Sequence, residues 1–162
     1  MSEAFLSLGS NMGDRILNIQ KAIESLKRIP ESKIIEISSL YETEPFGVTD
    51  IQNKYINCCL KISTTLSSEI LMGCCLGIEA ALKRVRKYKF SPRTIDIDIL
   101  IFDDETKNKK NLTLPHPELT KRAFVLIPLK EIYGKEIINN INISESLKNC
   151  DISTVKKLLL KI

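Results

Sequence analysis

Two carboxylates one residue apart, Asp96-Ile97-Asp98, lie in the most apolar stretch of the chain. Side chains alternate along an extended strand, so both acids share one face, about 7 Å apart at the backbone, while Ile95, Ile97 and Ile99 take the other. Like charges at that spacing repel unless a cation lies between them. Hard oxygen ligands suit magnesium, and a pair of ions about 4 Å apart can share such carboxylates with the phosphates of a nucleotide. Two solvated acids on an open sheet face are the plainer reading. Arg93 stands three residues upstream, behind Pro92, whose ring stiffens the entry to the strand. His116 is flanked by Pro115 and Pro117, which restrain its backbone and aim its side chain. It is either a donor to a phosphate or leaving oxygen or a plain surface residue.

Positive charge gathers around these acids. Lys83, Arg84, Arg86, Lys87, Lys89 and Arg93 follow one another without an acid among them. The chain has six Arg in all, and Arg84, Arg86, Arg93 and Arg122 fall within one quarter of it. Arg presents a planar fork that pairs bidentately with phosphate, where Lys is a point charge. The stretch reads as an anion site, or as a solvated helix end and basic turn. Gly9-Ser10-Asn11-Met12-Gly13-Asp14 lacks the Lys of a P-loop. Phosphoryl chemistry here would therefore rest on Arg side chains and magnesium.

Positioning these groups falls to a short series of elements. Ala4 to Leu8 reads as a strand that ends at Gly9-Ser10-Asn11, and Asp14 caps a helix with Ile16, Ile19, Ala22, Ile23 and Leu26 at helical spacing, closed by Pro30. Lys33 to Tyr41 is a second strand. Glu42 to Lys54, with Pro45, Gly47 and Asp50, is a loop of the length usually reserved for function. Tyr55 to Thr64 alternates, with Ile56, Leu60 and Ile62 facing the core. Ser67 and Ser68 open an amphipathic helix through Ile70, Leu71, Cys74, Cys75, Ile78, Ala81 and Leu82, and Ile95 to Phe102 is the fourth strand. The order β-α-β-β-α-β predicts an α+β, ferredoxin-like antiparallel sheet with both helices on one face and the other free for a ligand. Beyond it come a polar turn from Asp103 to Lys110, a short strand from Asn111 to Leu114, and helical segments near Ala123 to Ile132 and Ser153 to Leu160.

Composition narrows the class. At 162 residues, with 43% hydrophobic and only twelve Gly and Pro together, the chain is one domain with a core, not collagen, linker or disordered polymer. Its longest apolar runs fall far below the roughly 18 residues a membrane span needs. The N-terminus carries no secretory signal, so a cytoplasmic protein is expected. Five cysteines at Cys58-Cys59, Cys74-Cys75 and Cys150 have no metal or redox spacing and read as reduced thiols packed as small hydrophobes.

Ser91-Pro92-Arg93-Thr94-Ile95-Asp96-Ile97-Asp98-Ile99-Leu100 resembles the signature of the 6-hydroxymethyl-7,8-dihydropterin pyrophosphokinase family of folate biosynthesis. The resemblance covers nearly the whole chain. It takes in Leu8-Gly9-Ser10-Asn11, the run from Ser39 to Pro45, Tyr55-Ile56-Asn57, Arg84-Val85-Arg86, Leu114-Pro115-His116-Pro117 and Arg122-Ala123-Phe124-Val125-Leu126. It implies a ferredoxin-like fold and transfer of the pyrophosphoryl group of ATP, as co-substrate, to the pterin hydroxymethyl with release of AMP. It makes Asp96 and Asp98 ligands of two Mg2+ ions and, with Arg84 and Arg93, the catalytic set. Arg84, Lys87, Arg93, His116 and Arg122 would contact the ATP phosphates, with Glu79, Arg86, Ile99 and Thr113 completing the nucleotide site. Tyr55 and Phe124 would stack on the pterin, while Asn57 and the backbone of Thr43, Glu44, Pro45 and Phe46 read its polar edge.

A single pyrophosphokinase domain over residues 1 to 162 is implied, a monomer with small-molecule substrates and neither nucleic acid nor membrane as partner. Two departures stand out: Lys83 where the family usually carries Gly, and Phe90-Ser91 in place of Trp-Gly. They put closure of the basic loop in question. The alternatives are an RNA-binding module on the same fold, which needs aromatics where Cys58, Cys59 and Leu60 stand, and another ATP-dependent transferase.

Overall fold

The computed structural model describes residues 1–162 except Thr49, Lys89 and Lys161. Lys89 of the basic stretch and one residue of the long loop thus lie outside the described residues. In chain order the elements are β1 (Ser2–Ser10), α1 (Arg15–Leu26), β2 (Ser32–Ile37), β3 (Tyr41–Thr43), β4 (Tyr55–Thr64), α2 (Ser68–Ala81), β5 (Asp96–Phe102), β6 (Lys107–Lys109), β7 (Leu112–Leu114), α3 (Ala123–Tyr133), β8 (Ile137–Ile138), β9 (Ile141–Asn142), α4 (Ile143–Lys148) and β10 (Val155–Lys157).

Strands β10, β3, β4, β1 and β5 lie side by side, every pair antiparallel, and β2 continues the β3 side along β4. Period-two alternation sorts β4 cleanly. Ile56, Cys58, Leu60 and Ile62 join a core with Leu6 and Leu8 of β1, Ile19, Ile23 and Leu26 of α1, and Leu71 and Cys75 of α2. Both helices start as their caps dictate: the Asp14 side chain accepts from Leu17 N–H and the Ser67 hydroxyl from Ile70 N–H.

The opposite face is not left bare. Phe5, Cys59, Leu100 and Ile101 pack under Val125, Leu126 and Leu129 of α3, so only the other half of this face stays open. A bulge between Phe5 and Leu6 shifts the β1–β5 register, which is why Leu100 and Ile101, though consecutive, both reach α3.

Three expectations about the chain trace are corrected. The strand from Lys33 to Tyr41 is two strands. At the break Ser38 donates its N–H to Cys59 O at 2.9 Å and its hydroxyl accepts Cys59 N–H at 2.9 Å, satisfying β4 without a ladder. Lys107 to Lys109, read as turn, is the first arm of a hairpin with β7. The helix expected at Ser153 to Leu160 is strand β10. Helix α4 lies earlier, capped by Asn142, whose side chain accepts from Glu145 N–H. All five cysteines are free, and among the described residues no helix is long and apolar enough to cross a membrane.

Candidate active site

Strand β5 lies against β1 with Asp98 opposite Ser7 and Asp96 opposite Gly9, which places both acids on the half of the sheet that α3 leaves open. Gly9 is required for space: a Cβ there would stand 2.7 Å from Asn57 Oδ1 of β4. A flat patch of backbone therefore floors the site between the carboxylates and the Asn57 amide.

Arginine reaches Asp96 from two directions. Arg84 Nη1 donates to Asp96 Oδ1 and to Glu79 Oε1, and Arg93 Nη1 donates to Asp96 Oδ2 at 2.5 Å. Arg84 is delivered by the end of α2. Lys83, at φ +61°, turns the chain left-handed, its N–H donating to Ala80 O and that of Arg84 to Glu79 O, the paired bonds of a Schellman motif. Glu79 is almost fully buried at the base of this turn. It accepts from Arg84, from Arg86 Nη2 at 2.8 Å and from the backbone N–H of Ile97 at 2.8 Å. One buried carboxylate thus ties helix end, basic stretch and acid-bearing strand together.

The two acids differ in their surroundings. Burial would raise Asp96, but Arg93 and Arg84 outweigh it and hold its carboxyl below the usual value. Asp98 has no such pair. Burial and the neighbouring Asp96 charge push it up to about 7, against opposing pulls from Arg122 and Arg84. His116 lies with Nε2 4.0 Å from Asp98 Oδ2, and its Nδ1 accepts the Glu118 N–H at 3.2 Å, which leaves Nε2 to carry the ring proton. Burial, then Arg122, lowers the imidazole, so it is neutral at pH 7 and a donor at Nε2.

Two cavities meet at Asp98. The larger, 490 Å³, is lined by Thr43, Glu44, Phe46, Tyr55, Asn57, Arg93, Asp96, Asp98, Arg122 and Phe124 among others. The smaller, 180 Å³, runs along Asp98, Ile99, Thr113 and His116. The expected ring-binding residues that line a cavity share the larger one with Arg93 and Arg122, while Ile99, Thr113 and His116 line the smaller. Pro45, Glu79, Arg84, Arg86 and Lys87 line neither: Arg84 and Glu79 sit beneath the wall, and Arg86 and Lys87 are exposed. Phe46 tilts against Phe124 with ring centres 6.2 Å apart, and the Arg93 guanidinium lies 5.9 Å from the Tyr55 ring centre.

Several contributors escape a reading of the sequence. Asn11, buried where β1 ends, exchanges backbone and side-chain bonds with Arg93 and donates its amide to Gln52 Oε1 at 3.0 Å and Asn53 O at 3.3 Å. Arg15 donates to Glu42 and to Lys54 O, pinning both ends of the long loop. Gln52 Nε2 donates to Phe90 O and the Tyr88 hydroxyl to Asp50, so the long loop and the basic loop are bonded to each other. Asn11 stands in the Leu8-Gly9-Ser10-Asn11 motif. Nothing in the spacing of Arg15, Gln52 or Tyr88 marks them.

The residues fit a magnesium-bound polyphosphate. Among the described residues no group of three or more His, Cys, Asp or Glu could hold an ion alone, and magnesium commonly takes one or two carboxylates and fills its remaining positions with phosphate and water. Arg93 Nε and Arg122 Nε are buried without an acceptor, an unmet demand for anionic oxygen beside the carboxylates.

Residues 5–134 match the family model for 7,8-dihydro-6-hydroxymethylpterin-pyrophosphokinase. The 2-amino-4-hydroxy-6-hydroxymethyldihydropteridine pyrophosphokinase of Methylorubrum extorquens is 39% identical over 98% of this chain and 99% of its own length. That of Aquifex aeolicus is 42% identical over 82% of this chain and 81% of its own. The bifunctional protein FolKE of Lactococcus lactis is 35% identical over 99% of this chain but only 46% of its own. Among solved structures, Plasmodium falciparum HPPK-DHPS superposes with a TM-score of 0.71 at 18% identity, over 97% of this chain and 47% of that one. The chain spans about half the length of such structures, and at that identity the likeness shows the fold alone.

Proposed function

The chain belongs to the 7,8-dihydro-6-hydroxymethylpterin-pyrophosphokinase family, and on that premise we propose which of its residues carry the reaction. It transfers the pyrophosphoryl group of ATP to the hydroxymethyl group of 6-hydroxymethyl-7,8-dihydropterin in folate biosynthesis. The pterin hydroxyl oxygen bonds to the β-phosphorus, its proton passes to water, and the bond from that phosphorus to the α-phosphate oxygen breaks to release AMP.

The observation that carries the assignment is the Asp96–Asp98 pair, set among Arg84, Arg93 and Arg122, with Asp98 at the meeting of two adjoining cavities. The larger cavity takes the pterin. Phe124 and Tyr55 supply ring faces, Asn57 and the backbone of Thr43, Glu44, Pro45 and Phe46 read the polar edge, and the triphosphate crosses the carboxylates into the smaller space beside Ile99, Thr113 and His116. Arg86 and Lys87 close over it from the basic loop. His116 donates from Nε2 to a phosphate oxygen.

Asp96 and Asp98 would hold two magnesium ions, which would supply neutralisation of the charge developing on the phosphate oxygens. Asp96 is already paired with Arg84 and Arg93, whose guanidinium groups would turn toward phosphate oxygens as the nucleotide binds beside the carboxylate. Glu79 stays beneath Arg84 and limits how far that side chain travels. The scaffold is a ferredoxin-like βαββαβ core with a C-terminal extension, one domain over residues 1–162, acting as a cytoplasmic monomer. At Cys58, Cys59 and Leu60 strand β4 offers RNA no aromatic platform, since Cys58 and Leu60 are buried on the helix side and Cys59 under α3.

Magnesium-dependent release of AMP from ATP, measured with and without the pterin alcohol, tests the reading. AMP release should require both pterin and magnesium in the native chain and be absent in Asp96→Ala.

A further inference from the structure

The family match ends at residue 134, yet the chain beyond it returns to the catalytic half of the sheet. Strand β10 pairs antiparallel with β3, Val155 opposite Thr43, Lys156 opposite Glu42 and Lys157 opposite Tyr41. The pairing is prolonged at both ends: Glu44 N–H donates to Thr154 O at 3.4 Å, and Leu158 N–H to Leu40 O at 2.8 Å. Lys157 Nζ reaches Glu131 Oε1 of α3 at 3.4 Å, and the same carboxylate accepts from the Tyr41 hydroxyl and from Ser39. Leu158 packs against the helix-side core.

Strand β3 is three residues long and on its inner side has only Asn57, Ile56 and Tyr55 of β4 as partners. Two consequences meet at Thr43. Its backbone is held from both sides, and its buried hydroxyl accepts from Asn57 Nδ2 at 2.7 Å. With its amide nitrogen on Thr43, Asn57 presents Oδ1 over Gly9 in the wall of the larger cavity. Residues Glu44 and Phe46, which line the same cavity, follow directly from this tethered strand.

We propose that β10 is a positioning element of the pterin subsite: by pairing with β3 it fixes Thr43, and through Thr43 the hydrogen-bonding edge of Asn57. The inference rests on the assignment of the larger cavity to the pterin. No residue of β10 touches either cavity, so its effect is confined to the heterocycle and does not reach the triphosphate groups on β5 and the end of α2.

Ladder alternation makes Lys156 and Glu42 a hydrogen-bonded pair, given the bonds at Glu44–Thr154 and Leu158–Leu40, and the Lys156 side chain is exposed. Lys156→Pro therefore removes a ladder donor and little else, with Lys156→Ala as its control; deletion of residues 152–162 is the larger lesion. Pterin affinity in the presence of a non-hydrolysable ATP analogue, and affinity for the analogue alone, are read by calorimetry. Lys156→Pro and the deletion are expected to weaken pterin binding about tenfold and leave analogue binding within twofold, Lys156→Ala to change neither, and Thr43→Val to resemble Lys156→Pro while Thr43→Ser restores binding. Unchanged pterin affinity in Lys156→Pro, or parallel loss of both ligands, overturns the proposal. Asn57→Ala separates the two claims. If it weakens pterin binding while Lys156→Pro does not, β10 has no positioning role but the subsite stands; if Asn57→Ala has no effect either, the subsite assignment falls and the β10 proposal with it.

Discussion

On the α1 and α2 side of the sheet, Leu6, Leu8, Ile56, Leu60 and Ile97 pack against helix residues that are mainly apolar or cysteine, with buried Glu79 at the end of α2 the charged exception. On the other side, Asp96, Asp98, Arg93 and Arg122 crowd one cavity wall beside a smaller apolar patch under α3. The first face is held by area and volume, quantities that a neighbouring side chain of similar size can supply. The second is held by a balance of charge in a poorly solvated place, where each partner removed leaves another uncompensated. A substitution on the first should therefore be read out as stability, and one on the second as chemistry.

Asp96→Ala is the strongest challenge to that division. It removes a proposed metal ligand and leaves Arg84 and Arg93 without their shared acceptor. Pterin-dependent AMP release should fall at least a thousandfold, about 4 kcal/mol in the barrier, with the far-ultraviolet circular dichroism of the folded chain retained. Turnover near that of the native chain would remove Asp96 from the reaction. Leu60→Ala, fully buried on the opposite side of the sheet, should cost about 2–5 kcal/mol in urea unfolding. Its turnover per folded molecule should match the native chain; a large drop in that ratio would show that the faces are not separable.

A pH test sharpens the contrast within the charged face. Asp98, pushed up to about 7 by burial and by Asp96, keeps a proton at pH 6 that a metal ion on the proposed site would have to displace. Affinity for magnesium and nucleotide should rise by up to tenfold per pH unit below 7 and level off above it. Calorimetry at pH 6 in two buffers of different ionisation heat should register proton release; equal heats in both would show Asp98 already ionised. The smallest expected effect is a gain. Lys83 occupies a left-handed turn at φ +61° where glycine carries no Cβ penalty, so Lys83→Gly should stabilise the fold by about 1 kcal/mol and raise its melting temperature by about 2–4 °C. A lower melting temperature would mean that the Lys83 side chain contributes more than its backbone strain costs.

The two faces also differed in how far the sequence disclosed them. Alternation in β4 and the caps at Asp14 and Ser67 were readable because each is a local rule confined to a few neighbouring residues. Asp96 and Asp98 were readable as a pair for the same reason, and Arg93 beside them. The role of Glu79 under Arg84 and Arg86 was not: an acid near the end of an amphipathic helix looks solvent-facing until the turn after α2 folds back over it. Strand β10 was missed because Val155-Lys156-Lys157 is too short to show a period, and its pairing is decided by an edge that β3 leaves open. The cover that α3 provides over half of the second face depends on the register shift at Phe5, a long-range event with no local mark.

The central position of β1 has a consequence for how the chain is made. The strand ends at Ser10, but its two neighbours are Tyr55–Thr64 and Asp96–Phe102. During synthesis this apolar strand leaves the ribosome before both of its partners and waits for them, while α1 can already form beside it. Such distant pairings close loops before they yield contacts, which slows folding and prolongs the exposure of strand edges. The segment that later floors the site with Gly9 is thus also the one that a nascent-chain chaperone would have most reason to shield.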